Sequence, residues 1–166
     1  MNRNGFTLIE IAVVLAIIAM ALMLVIPRLP STEHENLKTS ARTLAATLRY
    51  MQERAATMGT PYYLRMEPGT GLVKVQQNAA DGSKKNAEDP LLQQKPIKED
   101  IVIADVVIPR LGKLTDGEVS LDAGIGGIRD FAAIHLRSPD GTFWTVMAFP
   151  AGGKVKVFQG YQENPL

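Results

Sequence analysis

The chain has 166 residues, and its 18 lysines and arginines against 17 acidic residues give a formal net charge of +1. That length suits one globular domain with an appendage, and the near-neutral balance offers no global attraction for nucleic acid. There are no cysteines, which excludes disulfides and any cysteine-based metal or redox centre.

The N-terminus reads Met1-Asn2-Arg3-Asn4-Gly5, then Phe6-Thr7-Leu8-Ile9-Glu10, and from Ile11 to Ile26 all sixteen residues are apolar. Phe6 to Ile26 would form a helix of about 31 Å, close to the thickness of a bilayer hydrocarbon core. A secretory signal peptide would have a shorter apolar core and a small-residue cleavage motif, which Ile26-Pro27-Arg28-Leu29-Pro30 does not supply. A plain membrane anchor explains the hydrophobicity but not Glu10. A carboxylate in an inserted segment costs a few kcal/mol at the bilayer centre and less toward the interface, so it is a candidate functional residue.

Gly5-Phe6-Thr7-Leu8-Ile9-Glu10, followed by the apolar run, resembles the class III signal of type IV pilins and type II secretion pseudopilins. The resemblance implies that a prepilin peptidase cuts between Gly5 and Phe6 on the cytoplasmic side and methylates the new amine of Phe6. The helix then stays in the mature protein. Pro27 matches a proline common in these helices. The cleaved amine is positively charged, and Glu10 lies four residues on, on nearly the same helix face. In low dielectric an amine and a carboxylate must pair to offset desolvation. In a staggered bundle, Glu10 of one subunit can meet the Phe6 amine of its neighbour and set the axial register. In an isolated subunit, Glu10 can instead pair with its own amine or reach the headgroups.

Pro27 and Pro30 interrupt the helical signal, and a kink is expected at Pro27. Ser31 is a candidate N-cap, with Glu33 and Glu35 in the first turn of a second helix. Leu37, Ala41, Leu44, Leu48, Met51 and Ala55 recur in steps of four and three, the stripe of an amphipathic helix. Arg42, Arg49, Gln52, Glu53 and Arg54 fall largely off that stripe. Gly59-Thr60-Pro61 supplies the stop.

Strands are predicted next. Tyr62 to Met66 and Leu72 to Gln76 flank the turn Glu67-Pro68-Gly69-Thr70-Gly71. Asn78 to Asp100 reads as an exposed loop, Ile101 to Ile108 as a strand and Val119 to Leu121 as a short strand. The glycines at 124, 126 and 127 read as a loop. Phe131 to Leu136 and Thr142 to Phe149 form a hairpin around Ser138-Pro139-Asp140-Gly141, a turn with a steric basis. Lys154 to Phe158 is the last strand, and Gln159 to Leu166 is expected to fray. Trp144 and His135 read as packing residues. Lys154 and Lys156 beside Phe158 could touch a nucleic-acid backbone, but lysines also protect an edge strand.

The expected fold is α+β and pilin-like: a long N-terminal helix, interrupted at Pro27 and Pro30, packed on an antiparallel sheet domain. The expected parts are a cleaved leader (1–5), a transmembrane and filament-core helix (6–30), an amphipathic helix (31–60) and a periplasmic β-rich domain (61–166). Ala41-Arg42-Thr43-Leu44, the end at Met58-Gly59-Thr60-Pro61 and the late hairpin resemble the subgroup joining minor pseudopilin H with FimT-type minor pilins. That resemblance implies a single-pass inner-membrane subunit of a type II secretion pseudopilus. Its partners would be other pseudopilins or pilins, the prepilin peptidase, the inner-membrane assembly platform and membrane lipid. Nucleic acid is not expected as a partner. The alternatives are a minor type IV pilin, or a tethered periplasmic domain that binds or catalyses on its own. No catalytic constellation, cofactor motif or metal-ligand spacing is seen, so the chain reads as a non-enzyme.

Overall fold

The computed structural model describes residues 8–25, 32–79, 81–150 and 152–163. Gly5, Phe6, Pro27, Pro30 and Ser31 lie outside the described residues. The chain divides into two units, residues 1–31 and Thr32 onward.

In the first unit, helix α1 covers Leu8–Val25. Its sequence is apolar on every side, with Glu10 in the first turn, where a carboxylate suits the positive end of the helix dipole.

The second unit begins with helix α2, Thr32–Met58, which ends at Gly59 with a φ of +65°, the left-handed geometry of a helix C-cap. All six residues of the predicted stripe are fully buried, as are Ser40 and Ala45. Gln52 departs from expectation. It is 6% exposed, because two glycine loops close over it. A Cβ on either Gly127 or Gly153 would lie 3.2 Å from Gln52 Oε1, so the glycines admit a polar side chain that periodicity places off the buried stripe.

Among the described residues ten strands follow: β1 (Tyr62–Met66), β2 (Val73–Asn78), β3 (Lys84–Asn86), β4 (Val102–Ile108), β5 (Gly112–Leu114), β6 (Val119–Gly124), β7 (Gly127–Ile128), β8 (Ala132–Arg137), β9 (Phe143–Ala148) and β10 (Val155–Gln159). They form two five-stranded sheets, ordered β3-β2-β1-β6-β7 and β10-β9-β8-β4-β5. All the strand pairs are antiparallel. The helix therefore packs on two sheets rather than one, touching β1, β6 and β7 of the first and β8, β9 and β10 of the second.

Among the described residues the core belongs to this unit. Its buried apolar residues run from Leu37 to Val155 and include Leu64, Ile103, Ile134 and Val146. Trp144 joins them, as expected. Along β1 the alternation is regular, with Tyr62, Leu64 and Met66 inward.

Three stretches differ from the sequence expectation. The supposed loop from Asn78 to Asp100 contains edge strand β3 and then buries Ala87, Leu92 and Ile97. Apolar residues too sparse to show a period still find the core. The glycine cluster is a tight turn leading into β7 rather than a loop alone, with Gly127 at φ +94°. The tail does not fray at once, because Gly160, Tyr161 and Gln162 are hydrogen-bonded to the second sheet or to side chains on it.

Candidate functional site

Two regions carry chemistry that packing alone does not require: the surface of α1, and a polar cluster on the outer face of the second sheet.

The apolar side chains of α1 are exposed around the whole helix, from Leu8 at 87% to Met23 at 78%. An all-round apolar helix is stable only when something apolar covers it, either lipid or other helices. The described helix has 18 residues and rises about 27 Å. Among the described residues no helix is long and apolar enough to cross a membrane. Glu10 lies on this surface as the acidic residue of the first turn. Its expected partner position, Phe6, lies outside the described residues.

The second region was not assembled by sequence reasoning. His135 on β8 is fully buried, and its Nδ1 lies 2.6 Å from Asp105 Oδ1 on β4. The pairing of β4 with β8 shifts register between Ile103 and Asp105. That bulge sets Asp105 directly opposite His135. The Tyr161 ring stacks on the His135 ring with centroids 3.8 Å apart. Lys113 on β5 donates to the Tyr161 hydroxyl and lies 3.7 Å from both Asp105 and Glu163. Burial pushes the Tyr161 hydroxyl above its ordinary value, and the hydrogen bond to Tyr161 pushes Lys113 upward. The one sequence signal was a histidine inside an apolar alternating strand. Its acid partner lies thirty residues earlier and is identified only by register.

Elsewhere in the second unit, the Tyr50 hydroxyl of α2 donates to Asp89, which also receives Arg54 at 3.1 Å. The Tyr50 hydrogen bond holds the Asp89 carboxyl below its ordinary range. Among the described residues no group of three or more His, Asp or Glu side chains is placed to hold a metal ion. Lys154 and Lys156 are exposed at the two sides of Val155 on edge strand β10. Arg49 caps the outward carbonyl of Val155.

The family profile of the prokaryotic N-terminal methylation motif matches residues 1–26. Two solved structures of the minor pseudopilin EpsH, from the type II secretion system of Vibrio cholerae, share the fold. One is 16% identical with a TM-score of 0.64, covering 78% of this chain and 99% of that one. The other is 19% identical with a TM-score of 0.61, covering 78% and 98%. No curated protein sequence matches the chain significantly. The chain thus combines a prokaryotic N-terminal methylation motif with a fold shared by minor pseudopilin structures.

Proposed function

We propose that this protein is a minor pseudopilin of a type II secretion system. It is cut after Gly5, N-methylated at Phe6 and assembled into the periplasmic pseudopilus through α1. The observation that carries the reading is an apolar helix exposed all round, inside a methylation motif and ahead of a self-contained pseudopilin-like domain. Before assembly, residues 6–30 would sit in the inner membrane with the domain in the periplasm. On assembly the same surface would be covered by neighbouring helices. The exchange is between two apolar surroundings, so it costs far less than exposure to water. Glu10 would be the register-setting group, paired with the Phe6 amine of a neighbour, and Pro27 would supply a kink.

The intact mass of the purified protein tests the processing. The expected mass corresponds to a chain beginning at Phe6 with one added methyl group. Recovery of the unprocessed chain, or of a chain cut beyond Ile26, would overturn it. Glu10→Leu should leave membrane insertion intact and reduce crosslinking to neighbouring pseudopilins. Equal crosslinking of the two forms would remove the pairing role.

A minor type IV pilin would share the motif and the helix. Deleting the gene separates the two assignments. Retention of secreted proteins in the periplasm with pili intact supports the pseudopilin reading, and loss of pili with secretion intact supports the pilin.

A further inference from the structure

Gly160–Glu163 form a strap over the outer face of the second sheet. The Gly160 amide donates to the Phe143 carbonyl at 2.8 Å. The Thr145 hydroxyl donates to the Gly160 carbonyl at 2.7 Å and accepts from the Gln162 amide at 3.1 Å. His135 Nε2 lies 2.9 Å from the Gln162 carbonyl oxygen. Tyr161 stacks on the His135 ring, and His135 and Thr145 are both fully buried.

Both ring nitrogens of His135 therefore face acceptors. A carbonyl oxygen has no proton to give, so Nε2 must carry hydrogen. The other nitrogen lies against a carboxyl oxygen at hydrogen-bond distance, so one proton must sit between Nδ1 and Asp105. It is held either as imidazolium beside carboxylate or as neutral imidazole beside carboxylic acid. In both cases the pair binds one proton more than a neutral histidine beside a carboxylate. Remove that proton and a lone pair must face an acceptor, either at Asp105 or at Gln162. Unpaired buried polar groups of this kind are costly.

We infer that the His135–Asp105 pair is a proton-operated clamp on the C-terminal strap: the proton fastens the strap to the sheet, and its loss lets Gly160–Glu163 lift away. His135 faces Asp105 from β4 and the Tyr161 ring from the strap; Lys113 from β5 reaches Asp105 and Tyr161, and Glu163 reaches Lys113 and Tyr161. The β9 residues beside it bring Thr145 and no titratable side chain. Tyr161 and Lys113 titrate above their ordinary values and keep their protons through the neutral range. The direction follows from linkage. The fastened state binds the extra proton, so fastening is favoured at low pH and weakens as pH rises. Lifting frees the chain from Gly160 onward beside the open edge of β10 and uncovers the histidine.

The test is NMR of the Tyr161 ring in residues 32–166, whose core is self-contained. The ring protons do not exchange, and stacking on His135 shifts them away from the values of an unstructured tyrosine. Between about pH 6 and about pH 9 the undocked fraction should rise by at least about tenfold, as the linkage of one proton to docking requires. Asp105→Asn is the diagnostic variant. Its amide can donate to Nδ1 while Nε2 donates to Gln162, so a neutral ring satisfies every group. In this variant the strap should stay docked across the whole range. A Tyr161 signal that does not move in the unaltered protein overturns the clamp, and so does an equal movement in Asp105→Asn. The unaltered pH series stands without the variant if Asp105→Asn fails to fold.

Discussion

Gly71 is where the two sheets are tied, and replacing it with alanine tests that tie. The turn between β1 and β2 reaches across to the start of β4 through two hydrogen bonds of 2.8 Å, Gly69 amide to Ile103 carbonyl and Ile103 amide to Thr70 carbonyl. A Cβ at Gly71 would lie 2.7 Å from the Ile101 carbonyl oxygen and 3.4 Å from Ile97 Cγ2. The first contact is with backbone at a fully buried residue, so it cannot be relieved by a rotamer change. Overpacking of this kind costs about 1–3 kcal/mol. Separating the strands would also weaken two hydrogen bonds worth about 1 kcal/mol each. A loss of about 2–4 kcal/mol is therefore expected for Gly71→Ala. Gly69→Ala is the control for backbone strain: its φ is +86° with open space around it, and it should cost about 1–2 kcal/mol. Gly124→Ala meets neither obstacle and should stay within about 0.5 kcal/mol. Urea unfolding of residues 32–166, followed by the fluorescence of the single tryptophan, Trp144, ranks the three. With a slope of about 1–3 kcal/mol per molar, the Gly71→Ala midpoint should fall by about 1 M or more. The reasoning fails if Gly71→Ala loses no more stability than Gly69→Ala.

Leu48→Ala removes a fully buried side chain from the α2 stripe and should cost about 2–5 kcal/mol in the same assay. A loss within the range of the exposed Arg42→Ala would show that α2 is not seated on the sheets as described. The Tyr50–Asp89 bond makes a second, acid-side prediction. A carboxyl held below its ordinary range contributes stability above that range and loses it as pH falls through the folded value. Tyr50→Phe removes the largest cause of the shift, so its urea midpoint should fall less steeply than that of the unaltered protein between about pH 6 and about pH 3. Parallel curves would show that the bond does not bias the carboxyl.

Much of this architecture was legible before folding was considered. A buried helix face is written into the sequence at spacings of three and four, so Leu37 through Ala55 were placed correctly from periodicity. The hairpin at Pro139-Asp140-Gly141 was legible for a local reason too: the Asp140 carboxylate accepts from the Thr142 amide at 2.9 Å, a bond within one turn. The α1 run and the Gly5–Glu10 motif are likewise contiguous, and the family profile matches that same stretch.

What sequence by itself determined, then, were the properties set by neighbours along the chain: which segments are helix, which face of α2 is apolar, where the hairpin turn at Asp140 falls, and that an apolar helix precedes a β-rich domain. The tertiary structure alone decided the division into two sheets, the burial of Gln52 between Gly127 and Gly153, and the meeting of Asp105, His135 and Tyr161. Those depend on strand register and on one bulge in β4, where a slip of a single residue turns side chains to the opposite face. Pairing energies between residues thirty or more positions apart leave no period in the sequence to read.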